Sequence, residues 1–236
     1  MVAKMVDSRE FQVRLKPILK TPKQGDKKMG EAKNRKHEIE ALKASGKIKN
    51  KADKERVKSI FDSLDLTLTF LGDKDTRKRT GAVFTPFELA YEMVRGAIKR
   101  DVDPKKLESD TSLDPCVGYG NILLVLMMVK IEVYGCDPTI VFANTYGKEL
   151  NPESVKICKE NMRKFAKHYG IEDDLAEVII ENNYIVGNAL EGTKGLRWVI
   201  YAIGEKLMDK YGVVATMNDG GCNVLGIINK EMLCAA

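Results

Sequence analysis

The chain has 236 residues, a formal net charge of +5, 44% hydrophobic residues, five cysteines and two histidines. That length suits one α/β domain with a smaller appendage; no apolar run is long enough to span a membrane, and Met1–Glu10 lacks an apolar leader core, which predicts a soluble, cytoplasmic protein. Cys116, Cys136, Cys158, Cys222 and Cys234 show no CxxC spacing and are accompanied only by His37 and His168, so reduced thiols are expected, and neither a metal site nor a disulfide scaffold.

The net charge conceals an asymmetry. Gln12–Lys58 holds sixteen Lys and Arg against six Asp and Glu, whereas Phe61 onward holds twenty-one against twenty-six. The sequence therefore divides into a basic, mainly helical N-terminal segment, residues 1–79, and a main domain, residues 80–236. Within the first, Glu31–Ala44 can form a helix with a thin apolar stripe of Ala32, Ile39 and Leu42. Such a segment can track phosphates by charge, or stand as a solvated arm. The hydrophobes between Ser59 and Leu71 are expected to dock it on the main domain. A second basic cluster, Lys74–Arg79, precedes Thr80-Gly81 and reads as a functional loop or a linker.

From Pro86 onward, Phe87, Ala90, Met93, Val94, Ala97 and Ile98 recur at helical spacing, with Thr85 as expected N-cap and Pro86 at the first helical position. Next comes Leu113-Asp114-Pro115-Cys116-Val117-Gly118-Tyr119-Gly120-Asn121: a strand end, a glycine-punctuated turn, and a helix from Asn121 to Lys130. Gly118 and Gly120 lack a Cβ, so their backbone can take positive φ and approach a ligand closely, and the helix N–H groups point back at the same space. That helix is apolar almost all round and is expected inside the layers.

A second strand is expected to end at Glu149, followed by a helix over Pro152–Tyr169. Glu177–Ile180 reads as a strand, Tyr184–Val186 as a short one before Gly187-Asn188. Leu196, Val199, Ile200, Ile203 and Leu207 mark a further helix, and Gly212–Met217 a strand. Strands alternating with helices predict an α/β fold with a parallel sheet, whose ligands sit at the carboxyl ends of the strands.

Thr80–Pro86, Asp114–Asn121, Tyr146–Pro152 and Gly187–Leu190, in this order and spacing, resemble the S-adenosylmethionine-dependent N6-adenine DNA methyltransferases of the restriction-modification modification-subunit type. The resemblance implies a Rossmann-like methyltransferase domain, complete or truncated, with S-adenosylmethionine as cofactor and DNA as partner. It assigns the cofactor to Phe84, Thr85, Pro86, Asp114, Cys116, Gly118, Gly120, Asn121, Glu149, Leu150 and Asn188. Glu149 would accept both ribose hydroxyls, although an acid there also suits the N-terminus of the following helix. Asp114 would meet the methionine ammonium, Phe84–Pro86 would form the opposite wall, and Asn188 would meet the adenine edge, or serve as a turn amide.

In the family, a later strand ends in Asn or Asp, two prolines and an aromatic residue that clamp a flipped adenine. Here the last proline is Pro152. At the corresponding place Val213–Met217 runs into Asn218-Asp219-Gly220-Gly221, which keeps the amide, Asn218, as candidate catalytic residue but loses the prolines and the aromatic. Three readings stay open: an adenine methyltransferase completed by a partner chain for target recognition or catalysis, an inactive module that binds cofactor, DNA or protein, and an RNA or small-molecule methyltransferase.

Overall fold

The computed structural model describes residues 51–69, 85–98, 102–218 and 221–231. The Glu31–Ala44 helix, the Lys74–Arg79 cluster and Thr80–Phe84, including the site candidate Phe84, lie outside the described residues.

Helix α1, Lys51–Ser63, buries Val57 and Phe61, with Leu64 just beyond it. Phe61 meets Phe87 with ring centroids 5.1 Å apart, and Lys54 pairs with Glu88 at 2.6 Å and Glu92 at 3.0 Å. The docking expected of this stretch is thus made by apolar contact, with ion pairs at its margin.

Helix α2, Phe87–Ala97, buries Phe87, Ala90, Tyr91 and Val94; the expected face is met at Phe87, Ala90 and Val94, whereas Met93 and Ile98 are half-buried, Ala97 is exposed and Tyr91 turns inward in addition. Its N-cap is Pro86, not Thr85, and no side chain caps it. The Thr85 carbonyl has another task, described below.

Helix α3, Pro104–Ser109, leads to strand β1, Ser112–Asp114. After the glycine turn, helix α4 runs Asn121–Tyr134, with Leu123 to Lys130 all buried. A helix without a polar face has no stable place at the surface, and this one packs against α1 and α2 within the main hydrophobic cluster. Left-handed Gly135 ends it, φ 71°. Helix α5, Pro138–Ala143, follows, with Asp137 accepting from the amides of Thr139 and Ile140. Strand β2, Thr145–Glu149, leads into helix α6, Pro152–His168.

Helix α7, Asp173–Asn183, corrects the strand expected at Glu177–Ile180. The Val-Ile-Ile run suggests β-structure in a narrow window, but buried Leu175, Ala176, Ile179, Ile180 and Asn183 keep helical spacing. Asp173 and Asp174 in the first turn favour the helix dipole. Strand β3, Tyr184–Val186, follows at once. Strands β1, β2 and β3 form a parallel sheet in that order, with Asp114 opposite Gly147 and Glu149 opposite Val186.

Helix α8, Val199–Leu207, is followed by β4, Tyr211–Asn218, and β5, Gly221–Asn229. The strand expected at Gly212–Met217 exists, but it pairs antiparallel with β5 in a separate two-stranded sheet rather than joining the parallel one. Asp219-Gly220 between two alternating segments is a strong hairpin signal, and a local pairing is reached with less loop-closure entropy than a new parallel edge. Buried Asn144 fastens this ribbon: its Nδ2 donates to the Val224 carbonyl at 2.8 Å and its Oδ1 accepts from the Val224 amide at 2.9 Å.

Among the described residues, no helix is long and apolar enough to cross a membrane, the cysteines are free thiols, and no group of three or more His, Cys, Asp or Glu is arranged to hold a metal ion.

Lys130 of α4 is 2% exposed. Its ammonium donates to the Asp110 carbonyl at 3.1 Å and Ser112 Oγ at 3.2 Å, fastening the start of β1. Burial pushes its pKa down to about 8. Between that value and the unfolded lysine range the unfolded chain binds the extra proton, so this residue makes stability rise with pH. Denaturant titrations should show a gain from pH 8 to pH 10 that is reduced in Lys130→Met.

Candidate functional site

The carboxyl ends of β1, β2 and β3 present Asp114, Glu149 and Gly187-Asn188 along one edge of the sheet. Glu149 joins the three. Its Oε2 accepts from the Gly118 amide at 3.1 Å and its Oε1 from the Asn151 amide at 3.0 Å. Its carbonyl accepts from the Gly187 amide at 2.9 Å. The carboxylate therefore faces the glycine turn, and each oxygen keeps a lone pair for a further donor. It is half-buried, while Leu150 beside it is 68% exposed and Leu190 is 93% exposed.

The glycine turn has the backbone its composition predicts. Gly118 has φ 55° and Gly120 φ 93°, conformations costly to residues with a Cβ. The Gly120 amide donates to the Val117 carbonyl at 2.8 Å, and the Val117 amide to the Lys148 carbonyl at 2.9 Å. A Cβ at Gly120 would lie 2.6 Å from Met162 Cε and 3.2 Å from Cys158 Sγ, so α6 packs directly beneath the turn.

Asp114 accepts from the Cys116 amide at 3.0 Å. Loss of water around its carboxyl, followed by the nearby Glu149 charge, outweighs that bond and pushes its pKa up to about 6. Cys116 is exposed on the turn, and its thiol pKa is raised by partial burial and by the Asp114 and Glu149 charges. Two carboxylates thus act on one turn, an environment that favours a cationic ligand.

Asn121 is the first residue of α4, with left-handed Gly120 as N-cap. Its Nδ2 donates to the Thr85 carbonyl at 3.2 Å, which brings the Thr85-Pro86 segment to the mouth of the turn. Asn188 lies at the other end, where its Oδ1 accepts from the Leu190 amide at 2.9 Å as cap of the 3-10 turn Ala189–Glu191. The turn-amide alternative is therefore realised at its oxygen. The structure brings together Thr85, Pro86, Asp114, Cys116, Gly118, Gly120, Asn121, Glu149, Leu150 and Asn188 around the ends of these strands. Asn218 ends β4 in the other sheet, in register with Gly221.

Two supporting residues went unnoticed in the sequence. Asn161 of α6, fully buried, donates to the Tyr119 carbonyl and to that of Thr67, both at 2.9 Å, and accepts from the Thr67 amide. Lys148 of β2, 1% exposed, donates to the carbonyls of Gly192 at 3.1 Å and Lys194 at 2.9 Å, holding the segment after Asn188. Asparagine in an amphipathic helix and lysine in a short strand both look like solvent-facing residues; only the fold turns them inward.

In an α/β protein with a parallel sheet, the carboxyl ends of the strands are where ligands sit, and here that edge is acidic and glycine-lined. Residues 69–190, slightly more than half of the chain, match the N-6 DNA methylase family. The chain belongs to that family, and the matched span contains every element of the edge just described. No curated protein and no solved structure matches it.

Two outcomes are expected. Gly120→Ala, strained at φ 93° and against Met162, should lower unfolding free energy by about 1–3 kcal/mol in urea titrations. Because the Asp114 pKa is raised in the fold, the native state binds the extra proton between about pH 4 and pH 6. Stability should therefore fall as pH rises through that window, by on the order of 1–2 kcal/mol after allowing for solvent screening. Asp114→Asn should remove this fall.

Proposed function

We propose that this chain is the S-adenosylmethionine-binding part of an adenine-N6 DNA methyltransferase, with a Rossmann-like cofactor domain in residues 80–236 and a basic N-terminal segment in residues 1–79. The observation that carries the reading is the Glu149 carboxylate held against Gly118, across the strand ends, with acceptor capacity to spare. A ribose diol offers two hydroxyl donors at the spacing of one carboxylate. The neighbouring Asp114 and the N-terminus of α4 suit the ammonium and carboxylate of an amino-acid tail. Leu150 and Leu190 offer exposed apolar surface for a purine.

The fit rests on this chain's own groups. Gly118 and Gly120 have the left-handed backbone of a close cradle, Asn121 Oδ1 is a buried acceptor without a donor among the described residues, and the turn lies beside two carboxylates. When bound, the cofactor would supply an activated methyl on a good leaving group. The residues here would bind and orient it, and transfer would then depend chiefly on positioning the target amine. DNA is the proposed macromolecular partner, in a soluble cytoplasmic protein, with the amine brought in by base flipping.

The antiparallel pairing of β4 favours a second reading of the catalytic half. Asn218 is the candidate acceptor for the target amine, yet its strand turns back on β5 instead of ending at the parallel-sheet edge, and no Pro-Pro clamp follows. That arrangement supports binding without transfer by this chain alone, with a partner chain completing the catalytic site.

Calorimetry with S-adenosylhomocysteine should show binding that is lost in Glu149→Ala. Affinity should weaken roughly tenfold from pH 7.5 to pH 5 as Asp114 takes up its proton, and Asp114→Asn should flatten the profile. With radiolabelled S-adenosylmethionine, label in adenine-containing DNA that is stopped by Asn218→Ala supports transfer. Binding without label under any partner combination supports the module reading, and label in RNA alone would overturn the DNA assignment.

A further inference from the structure

The ribbon of β4 and β5 has two outer edges, and they are treated differently. The edge of β5 is sealed. Asn144 accepts from the Val224 amide through Oδ1 and donates to the Val224 carbonyl through Nδ2, so one side chain takes the place of a neighbouring peptide group. Opposed residues of an antiparallel pair either exchange both hydrogen bonds or exchange none. Val224 is in register with Ala215, and both its backbone groups turn to Asn144. Ala215 accordingly turns its own amide and carbonyl away from β5, toward the outer edge of β4. Among the described residues no strand pairs along that edge.

The ribbon also lacks the features that keep a free strand solitary. Edge strands are commonly guarded by lysine, by proline or by a covering loop. In a chain with 31% charged residues, neither the eight residues of β4 nor the nine of β5 include a charged residue or a proline. Val214 is 50% exposed, and Met217, Leu225 and Ile228 are exposed as well. A neutral strand suits one occupant above others, a second copy of itself. Across a two-fold axis each side chain near the axis meets its own counterpart, so a charge there would face its like, and β4 carries none.

We propose that β4 is a homodimer interface, pairing antiparallel with β4 of a second copy about a two-fold axis near Ala215. The two ribbons then form one four-stranded sheet, in which Ala215 exchanges both hydrogen bonds with its counterpart and Val214 lies beside Thr216 of the second copy. Asn144 seals the β5 edge at each end of that sheet, so assembly closes at two chains. This interface is independent of the cofactor reading above.

Sedimentation equilibrium of the full chain tests it. The wild-type protein should have twice the mass of one chain at micromolar concentration. Val214→Lys, at an exposed position, should weaken dimerisation about tenfold or more. Ala215→Pro removes an amide that β5 does not use and should abolish the dimer, with circular dichroism showing the fold kept in both variants. Where the proline variant fails to fold, the lysine variant decides. A wild-type monomer at every concentration, a dimer that a folded variant leaves intact, or open-ended assembly would each overturn the proposal.

Discussion

The arrangement depends on one short-range interaction, the carboxylate of Glu149 closing on the Gly118 amide. Through its side chain and its carbonyl, this residue ties the turn after β1, the start of α6 and the exit from β3. Three loops that would otherwise be independent share the carboxylate and carbonyl of one residue. A charged acceptor forms stronger hydrogen bonds than a neutral one, so the strand ends are organised before any ligand arrives. Around it, buried Asn161 and Lys148 hold the turn from below and the following loop from the side. The polar groups they satisfy are carbonyls of loops, the part of a domain least able to satisfy itself.

Electrostatically the edge is left unfinished. Asp114 is forced away from its ordinary pKa by loss of water and by the neighbouring acid, and among the described residues no basic side chain is bonded to it. Asn121 adds an acceptor that has no donor among the described residues. Such features reduce stability in the free protein, and a bound cation with hydrogen-bond donors would relieve them together. Unsatisfied groups that cluster at the open end of a sheet, unlike Tyr184 Oη in the core, mark a place where a ligand can be the missing partner.

Much of this edge was legible in the sequence. The Gly-Tyr-Gly turn, the acid closing β2 and Gly187-Asn188 after β3 are local features whose residue types state their own requirement: positive φ at Gly118 and Gly120, a carboxylate at a strand end, a cap at Asn188. The apolar stretch Leu123–Val129 likewise announced its burial. The failures arose where the decision is not local. Glu177–Ile180 reads as a strand because β-branched residues fill most of that four-residue window, while the helical spacing that wins extends from Leu175 to Asn183. Strand β4 is legible as a strand, but the alternation of strands and helices predicts it in the parallel sheet, against the hairpin signal of the Asp-Gly dipeptide at 219–220. The buried roles of Asn161 and Lys148 depend on contacts between distant segments and left no trace in the spacing.

The central claim is that Glu149 and the glycine turn receive a nucleoside with an amino-acid tail. A crystal structure of the chain with S-adenosylhomocysteine tests it most directly. The account predicts both ribose hydroxyls within hydrogen-bond distance of the Glu149 carboxylate, with the tail lying over Gly118–Gly120. A nucleoside bound elsewhere, with the bond from Gly118 to Glu149 intact and no ligand upon it, would contradict the account.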